Sequence, residues 1–472
     1  MNADLALHNA ELVTPAGRVR AGVAVRDGKI IAIGRDADLP AADETVDCGG
    51  RPVLPGVVDP HVHLGGGVPY EELCETESVS AAIGGVTTLV QYKRSATSLL
   101  ETFEREREIA EAHSAFDTAF HFILNSMAQI EEIPQYAERF GVRSFKFYMG
   151  GYSKGNPIGL VTVSDADLYE AMARIRELGP YARCMVHCED DALVEHLTAK
   201  AKASGRNDLA AYGDSRPGFV EEQDVLRAIW LAELQGCPLY IPHTTIGAGV
   251  DAAREARRRG VDVVLETCPH YLALTQDDER LAQQGAGVGK VAPALRGEED
   301  RLRLWEGIRE GVVRTIGSDH VPLVKTGGAL WEEKPGFAGL ATMLPVVLTE
   351  GVLKGRIELE HVAAVMAENP ARVFGLYPRK GAIAVGSDAD LVVVDLDTER
   401  VVGPEVTRTK YTSAFEGMAR DHDPARRGAA ARRRGLGAPG VGSGAAPVTA
   451  GRTAPQKTRR RRHDSYGGHH AA

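Results

Sequence analysis

The sequence predicts an α/β chain whose body is a (β/α)8 TIM-like barrel, joined to a small β-sandwich domain built from both chain ends. Three observations carry this. Eight short apolar runs alternate with longer segments of helical periodicity, the signature of repeated βα units around a parallel sheet. Roughly the first 50 residues read instead as short strands joined by turn signals. A strand-like run returns late in the chain, in "GSDADLVVVDLD".

Residues 1–51 open with "LALHNAELV", "VRAGVAV" and "IIAIG", and Asp27-Gly28 is a pair suited to closing a hairpin. Residues 52–376 hold the eight runs: "PVLPGVVD", "GVTTLVQY", "TAFHFIL", "SFKFYMG", "RCMVHCE", "PLYIPHTT", "VDVVLETCP" and "VRTIGSDH". Between them, "LLETFEREREIAEAH", "DADLYEAMARIREL", "EEQDVLRAIWLAEL" and "DRLRLWEGIREG" combine good helix formers with a 3.6-residue period. The number of runs favours closure over an open sheet. Two further helices are expected in "GLATMLPVVLTEGV" and "HVAAVMAENPARVFGL", after which residues 377–417 return a strand to the first unit. Residues 418–472 are rich in Arg, Ala and Gly, with too little apolar pattern to bury a core, and read as disordered.

Composition narrows the function. The 472 residues are 43% hydrophobic and 25% charged, ordinary for a soluble globular protein. No basic-then-apolar leader opens the chain and no run reaches the length of a membrane span, so a cytoplasmic protein with no membrane partner is expected. The six cysteines lack any CxxC pair, which disfavours a disulfide framework or zinc knuckle. A formal charge of −10 argues against a nucleic-acid partner.

In such a barrel the chemistry gathers where strands end. The first run ends in His61 and His63, the fourth holds Lys146, the fifth ends in His187, the sixth in His243 and the eighth in Asp319. Residues i and i+2 of a strand share a face, so His61 and His63 can reach one ion together. Each residue has a plainer explanation: half-exposed histidines, a buried lysine paired with an acid, core or loop imidazoles, a helix-capping aspartate. Their coincidence at five strand ends favours a metal site, in which a neutral Lys146 amine that has added CO2 offers a carbamate able to bridge two cations.

This order of HxH, Lys, His, His and Asp resembles the amidohydrolase superfamily, specifically its cyclic-amidase branch of dihydropyrimidinases, hydantoinases, allantoinases and dihydroorotases. The resemblance covers about residues 3 to 418, including "LPGVVDPHVHL", "SFKFYM", "MVHCED", "ETCPHYLALT", "GSDHVP" and "ENPARVFGLYPRKGAIAVGSDADLVVVDLD". It implies two divalent ions, most simply zinc: His61, His63 and Asp319 hold one, His187 and His243 the other, and carboxylated Lys146 with a hydroxide bridges them. Asp319 is then the general base, and Tyr152 the oxyanion donor and a substrate contact. The family's tyrosine stands five positions after the lysine, where this chain has Gly151; Tyr148 is the alternative inside the strand.

Ring opening of a dihydropyrimidine or a 5-substituted hydantoin is the implied reaction. Dihydroorotases carry an arginine two residues after HxH; this chain has Gly65, so a carboxylate-bearing ring loses its clamp. The positions matching the family's backbone contacts to substrate are Ala292 and Pro335, where serine and asparagine are typical, and this leaves allantoin as an alternative. A non-catalytic assembly protein of dihydropyrimidinase type is the rival of a different class, disfavoured by the filled ligand set. The resemblance also implies a homo-oligomer, tetramer or dimer. The basic tail reads as either a frameshift or a natural extension.

Overall fold

The computed structural model describes residues 2–65, 67–150, 160–418 and the backbone of 446–449. The N-terminal region forms β1 (Ala3–His8), β2 (Glu11–Thr14), β3 (Gly17–Arg20), β4 (Gly22–Arg26), β5 (Lys29–Gly34), β6 (Ala42–Asp47) and β7 (Pro52–Pro55). The stretch "LALHNAELV" is not one strand: Asn9, at φ 51°, turns the chain between β1 and β2, which enter different sheets. Asp27 and Gly28 both have positive φ, at 51° and 71°, and close the β4–β5 hairpin as their sequence suggests.

The barrel strands follow: β8 (Val57–Val62), β9 (Val86–Arg94), β10 (Asp117–Ile123), β11 (Ser144–Tyr148), β12 (Arg183–His187), β13 (Leu239–Ile241), β14 (Val263–Thr267) and β15 (Val313–Ile316). They pair in sequence order, all parallel. A parallel bridge between Val62 and His320, with the His63 N–H donating to the His320 carbonyl at 2.9 Å, brings the last strand against the first. β11 and β12 are buried throughout, as expected of strands covered on both faces. Helices Leu99–His113, Asp165–Arg176, Gly218–Gln235 and Glu298–Arg309 occupy the segments read as helical. Ser98 caps the first of them, and Ser164 with Asp167 forms a capping box on the second. The two late segments form helices broken by π turns, Leu348–Leu353 and Ala364–Glu368.

β16 (Asp390–Val393) returns to pair antiparallel with β7, giving one sheet of order β5-β4-β1-β6 and a second in which β16, β7, β2 and β3 are neighbours. Leu7, Val23, Val25 and Ile30 of the first sheet pack with Leu12, Val53 and Leu391 of the second, which makes the sandwich. The run "PVLPGVVD" therefore divides at Gly56: Pro52–Pro55 belongs to the sandwich and Val57–Val62 to the barrel. A Cβ at Gly56 would collide with the Thr87 side chain, so the crossing point requires glycine. Of the C-terminal tail, the described residues are Met418, whose carbonyl accepts from the Val402 N–H, and Ala446–Thr449, which form β17 paired with β16; the rest of the expectation for residues 418–472 lies outside the described residues. Among the described residues no helix is long and apolar enough to cross a membrane, and all six cysteines are buried and free.

Candidate metal centre

Parallel pairing sets the geometry. Tyr148 lies level with His187 and Lys146 level with Met185, so alternate residues of β11 and β12 project into the barrel together. Beneath them Tyr92, Ile123, Met185, Tyr240 and Val264 fill the interior and form the floor of the site.

Above that floor the candidate ligands converge. His61 Nε2 is 3.1 Å from Asp319 Oδ1 and 3.2 Å from His63 Nε2, and His63 Nε2 is 3.5 Å from the same carboxylate oxygen. One ligand atom from each of these three residues lies within 4.8 Å of the others. Lys146 Nζ is 3.1 Å from His243 Nε2, which is 3.2 Å from His187 Nδ1. The rings of His61 and His243, 5.3 Å apart, join the two groups. The six residues are thus brought to one end of the barrel, all but His63 buried. His243 (φ 42°) and Asp319 (φ 47°) both adopt the left-handed region, a backbone strain typical of functional positions.

Electrostatics separate these groups. Burial pushes His63 and His187 below the usual imidazole range, and burial with the nearby Lys146 and His187 carries His243 well below it. Neutral imidazole is the metal-binding form. Burial would lower His61 too, but the carboxylates of Glu266 and Asp319 outweigh it and raise the ring to about 9. Asp319 is held well below the carboxylate range: burial opposes ionisation, yet the charge and hydrogen bonds of His61 and His63 win. Burial brings the Lys146 ammonium down to about 8, against the pull of Glu266 and Asp319.

Several side chains beyond the sequence reading shape this centre. Glu266 Oε1 accepts from His61 Nδ1 at 2.6 Å, and Glu189 Oε2 accepts from His187 Nε2 at 2.9 Å while paired with Arg216 at 2.6 Å. Tyr92 stacks on His63, with ring centroids 4.8 Å apart and planes 18° apart. Asp59 accepts from the His61 and Ser318 amides and, chiefly through burial, rises to about 7. Both glutamates were within reach of the strand-end rule: Glu266 closes the seventh run and Glu189 stands two residues after His187.

The expected substrate contacts are less concentrated. Tyr152 lies outside the described residues. Tyr148 is buried with its ring 5.2 Å from that of His187. Ala292 is buried at a cis peptide with Pro293, and half-buried Pro335 precedes Gly336, whose N–H donates to the Lys290 carbonyl at 2.9 Å. The two loops are thereby fastened side by side, and the Val321 N–H donating to the Phe337 carbonyl ties the second to the Asp319 loop. Gly65 is exposed, and a Cβ there would meet nothing within 4 Å. A second acidic cluster, Asp117, Asp388 and Asp390, encloses the Lys380 ammonium rather than open space.

Residues 53–426 match the model of the amidohydrolase family. An L-hydantoinase of Paenarthrobacter aurescens is 36% identical over 431 residues, which are 88% of this chain and 91% of that protein. An allantoinase of Solibacter usitatus is 36% identical over 413 residues, covering 86% of this chain and 87% of its own. Among solved structures, an L-hydantoinase (dihydropyrimidinase) from Arthrobacter aurescens superposes with a TM-score of 0.82 at 35% identity, over 88% of this chain and 92% of that one.

Proposed function

The chain belongs to the amidohydrolase family and hydrolyses cyclic amides, and from that premise we propose that its ring is a neutral cyclic ureide, a dihydropyrimidine or a 5-substituted hydantoin. The observation that carries the choice is Gly65: the position that would offer an arginine to a ring carboxylate is bare, beside open space.

The donor set suits a pair of divalent cations. Four imidazoles, a carboxylate held in its charged form and a buried lysine meet at one barrel end, and mixed nitrogen and oxygen donors suit zinc. In this proposal His61, His63 and Asp319 would hold one ion and His187 and His243 the other, and a carbamate on Lys146 would supply oxygen donors. The lowered Lys146 pKa supports the carbamate, because the neutral amine adds CO2. Bound ions of this kind make water acidic enough to lose a proton near neutral pH and polarise an amide carbonyl.

The protein's own groups do the rest. Asp319 takes the proton of the attacking water at a carboxylate oxygen and returns it to the ring nitrogen as the C–N bond breaks. Tyr152 donates to the developing oxyanion, and backbone groups at Ala292 and Pro335 hold the ring; Pro335 can offer only its carbonyl. Assembly as a cytoplasmic homotetramer or dimer belongs to the same reading. It draws support from Phe219, Leu226, Trp230 and Leu234, each more than half exposed along helix Gly218–Gln235.

Allantoin is the second reading, favoured by the Solibacter relative at the same identity as the hydantoinase. Zinc-loaded protein offered dihydrouracil, a 5-substituted hydantoin, allantoin and dihydroorotate decides between them. Turnover of the first two with dihydroorotate refused is expected. Preferential opening of allantoin would transfer the assignment to that ring, and silence on all four with metal bound would overturn it.

A further inference from the structure

Glu266 stands at the end of β14 and is fully buried, and its two oxygens receive three donors. Oε1 accepts from the His61 ring at Nδ1 (2.6 Å) and from the backbone N–H of His243 (3.0 Å); Oε2 accepts from the Tyr240 hydroxyl at 2.7 Å. Tyr240 is itself 2.8 Å from the Thr315 hydroxyl on β15. One carboxylate oxygen therefore touches a side chain from one group of ligands and the main chain of the other.

Each contact fixes something specific. With Nδ1 committed to Glu266, Nε2 is the His61 nitrogen that faces His63 and Asp319. The bond to the His243 amide holds a residue in the left-handed region, at φ 42°, and so aims its Nε2 at Lys146 and His187. Packing leaves Glu266 little freedom: a Cβ at Gly317 would come within 2.7 Å of its Oε2 and 2.6 Å of the His61 Cβ. Glu189 offers the contrast: among the described residues, its hydrogen bond to the centre goes to the ring of His187, and Arg216 backs it.

We infer that Glu266 is a positioning residue shared by both halves of the metal centre, so that neutralising it weakens both ions together, whereas neutralising Glu189 weakens one. The inference rests on the ligand assignment proposed above. An outer carboxylate of this kind typically contributes a factor of about 10 to 100 in metal affinity. Sharing it predicts that the factor is felt twice.

The test is competition between cobalt(II)-loaded full-length protein and a chelator, following ions per chain and the visible cobalt spectrum. Wild type should release two ions in separable steps. Glu266→Gln, which keeps the acceptor toward His61 and the His243 amide, should shift both steps by about 10- to 100-fold and perturb the spectrum of each. Glu189→Gln should shift one step only. Tyr240→Phe, which leaves both Oε1 contacts in place, should shift both steps in the same direction by less, and serves where Glu266→Gln fails to fold. Loss of a single ion in Glu266→Gln, or no shift in either step, would overturn the shared role. Wild type binding fewer than two ions would overturn the ligand assignment instead.

Discussion

The Lys146 ammonium nitrogen lies 3.1 Å from His243 Nε2, and among the described residues no carboxylate forms an ion pair with it. Burial disfavours the ammonium and brings it down to about 8 against the pull of Glu266 and Asp319, and burial with the Lys146 charge carries His243 well below the imidazole range. In the centre proposed above, a carbamate on this nitrogen would place oxygen donors beside the His243 ring.

Lys146→Ala tests this directly. The variant should lose more activity than the roughly 100-fold that an outer partner contributes, and acetate or propionate should restore part of it by supplying the missing oxygens. Rates measured across a series of short acids, with ethanol as an uncharged control, give the readout. Full activity without acid would remove Lys146 from the bridging position.

The barrel and the polar residues at its strand ends were legible in the sequence for a physical reason. Strands buried on both faces are continuous apolar runs, and a polar residue at such a run's end stands out, as His187 does after "RCMV". Gly56 was not legible, because apolar residues continue on both sides while the chain changes sheets. Glu266 was missed for another reason: carboxylates are common on surfaces, and only the fold shows this one fully buried against His61. Backbone strain at His243 and Asp319 has no sequence signature at all.

Gly65→Arg should shift specificity. The site is exposed and a Cβ there meets no atom within 4 Å, so a side chain can leave the backbone at this position without a clash. A charge-assisted hydrogen bond contributes about 1.5 to 3 kcal/mol, so dihydroorotate should bind roughly 10- to 100-fold more tightly to the variant than to wild type. Inhibition of hydantoin opening by dihydroorotate measures it. An unchanged inhibition constant would show that Gly65 is not what refuses the carboxylate.

Glu77 predicts a pH-dependent stability. It is buried against Thr409 at 3.3 Å and His320 at 3.5 Å, and burial, only partly offset by hydrogen bonds, raises its carboxyl from 4.5 to about 7. Below about pH 4.5 the folded and unfolded chains are both protonated there, and no cost arises. Between 4.5 and 7 the folded chain keeps a proton that the unfolded chain releases, so this group lowers stability as pH rises through that window. The full cost, on the order of 3 kcal/mol, applies above it. Glu77→Gln should therefore raise Tm by a few degrees at pH 8 and lose that advantage by pH 4.5. Thermal melts across the range decide, and a gain independent of pH would assign the effect to packing.

Lys380 joins the two domains. Its ammonium is buried and bonded to Asp117 at the start of β10, to Asp388 at 3.0 Å and to Asp390 at 2.7 Å, so barrel and sandwich share one cation. Burial would lower the lysine, but Asp390 and Asp117 outweigh it and raise its pKa, so its contribution is complete below the ordinary lysine range and fades only above it. Lys380→Met leaves the carboxylates facing one another without a counter-charge, which should cost about 3 to 5 kcal/mol at neutral pH. Acid should relieve the variant, because protonating the aspartates removes their repulsion; the Tm deficit should shrink between pH 8 and pH 4. Adding Asp117→Asn to Lys380→Met should cost less than the two single losses combined, since the residues share one interaction. Strict additivity in that cycle would mean that the sandwich and the barrel are held together elsewhere.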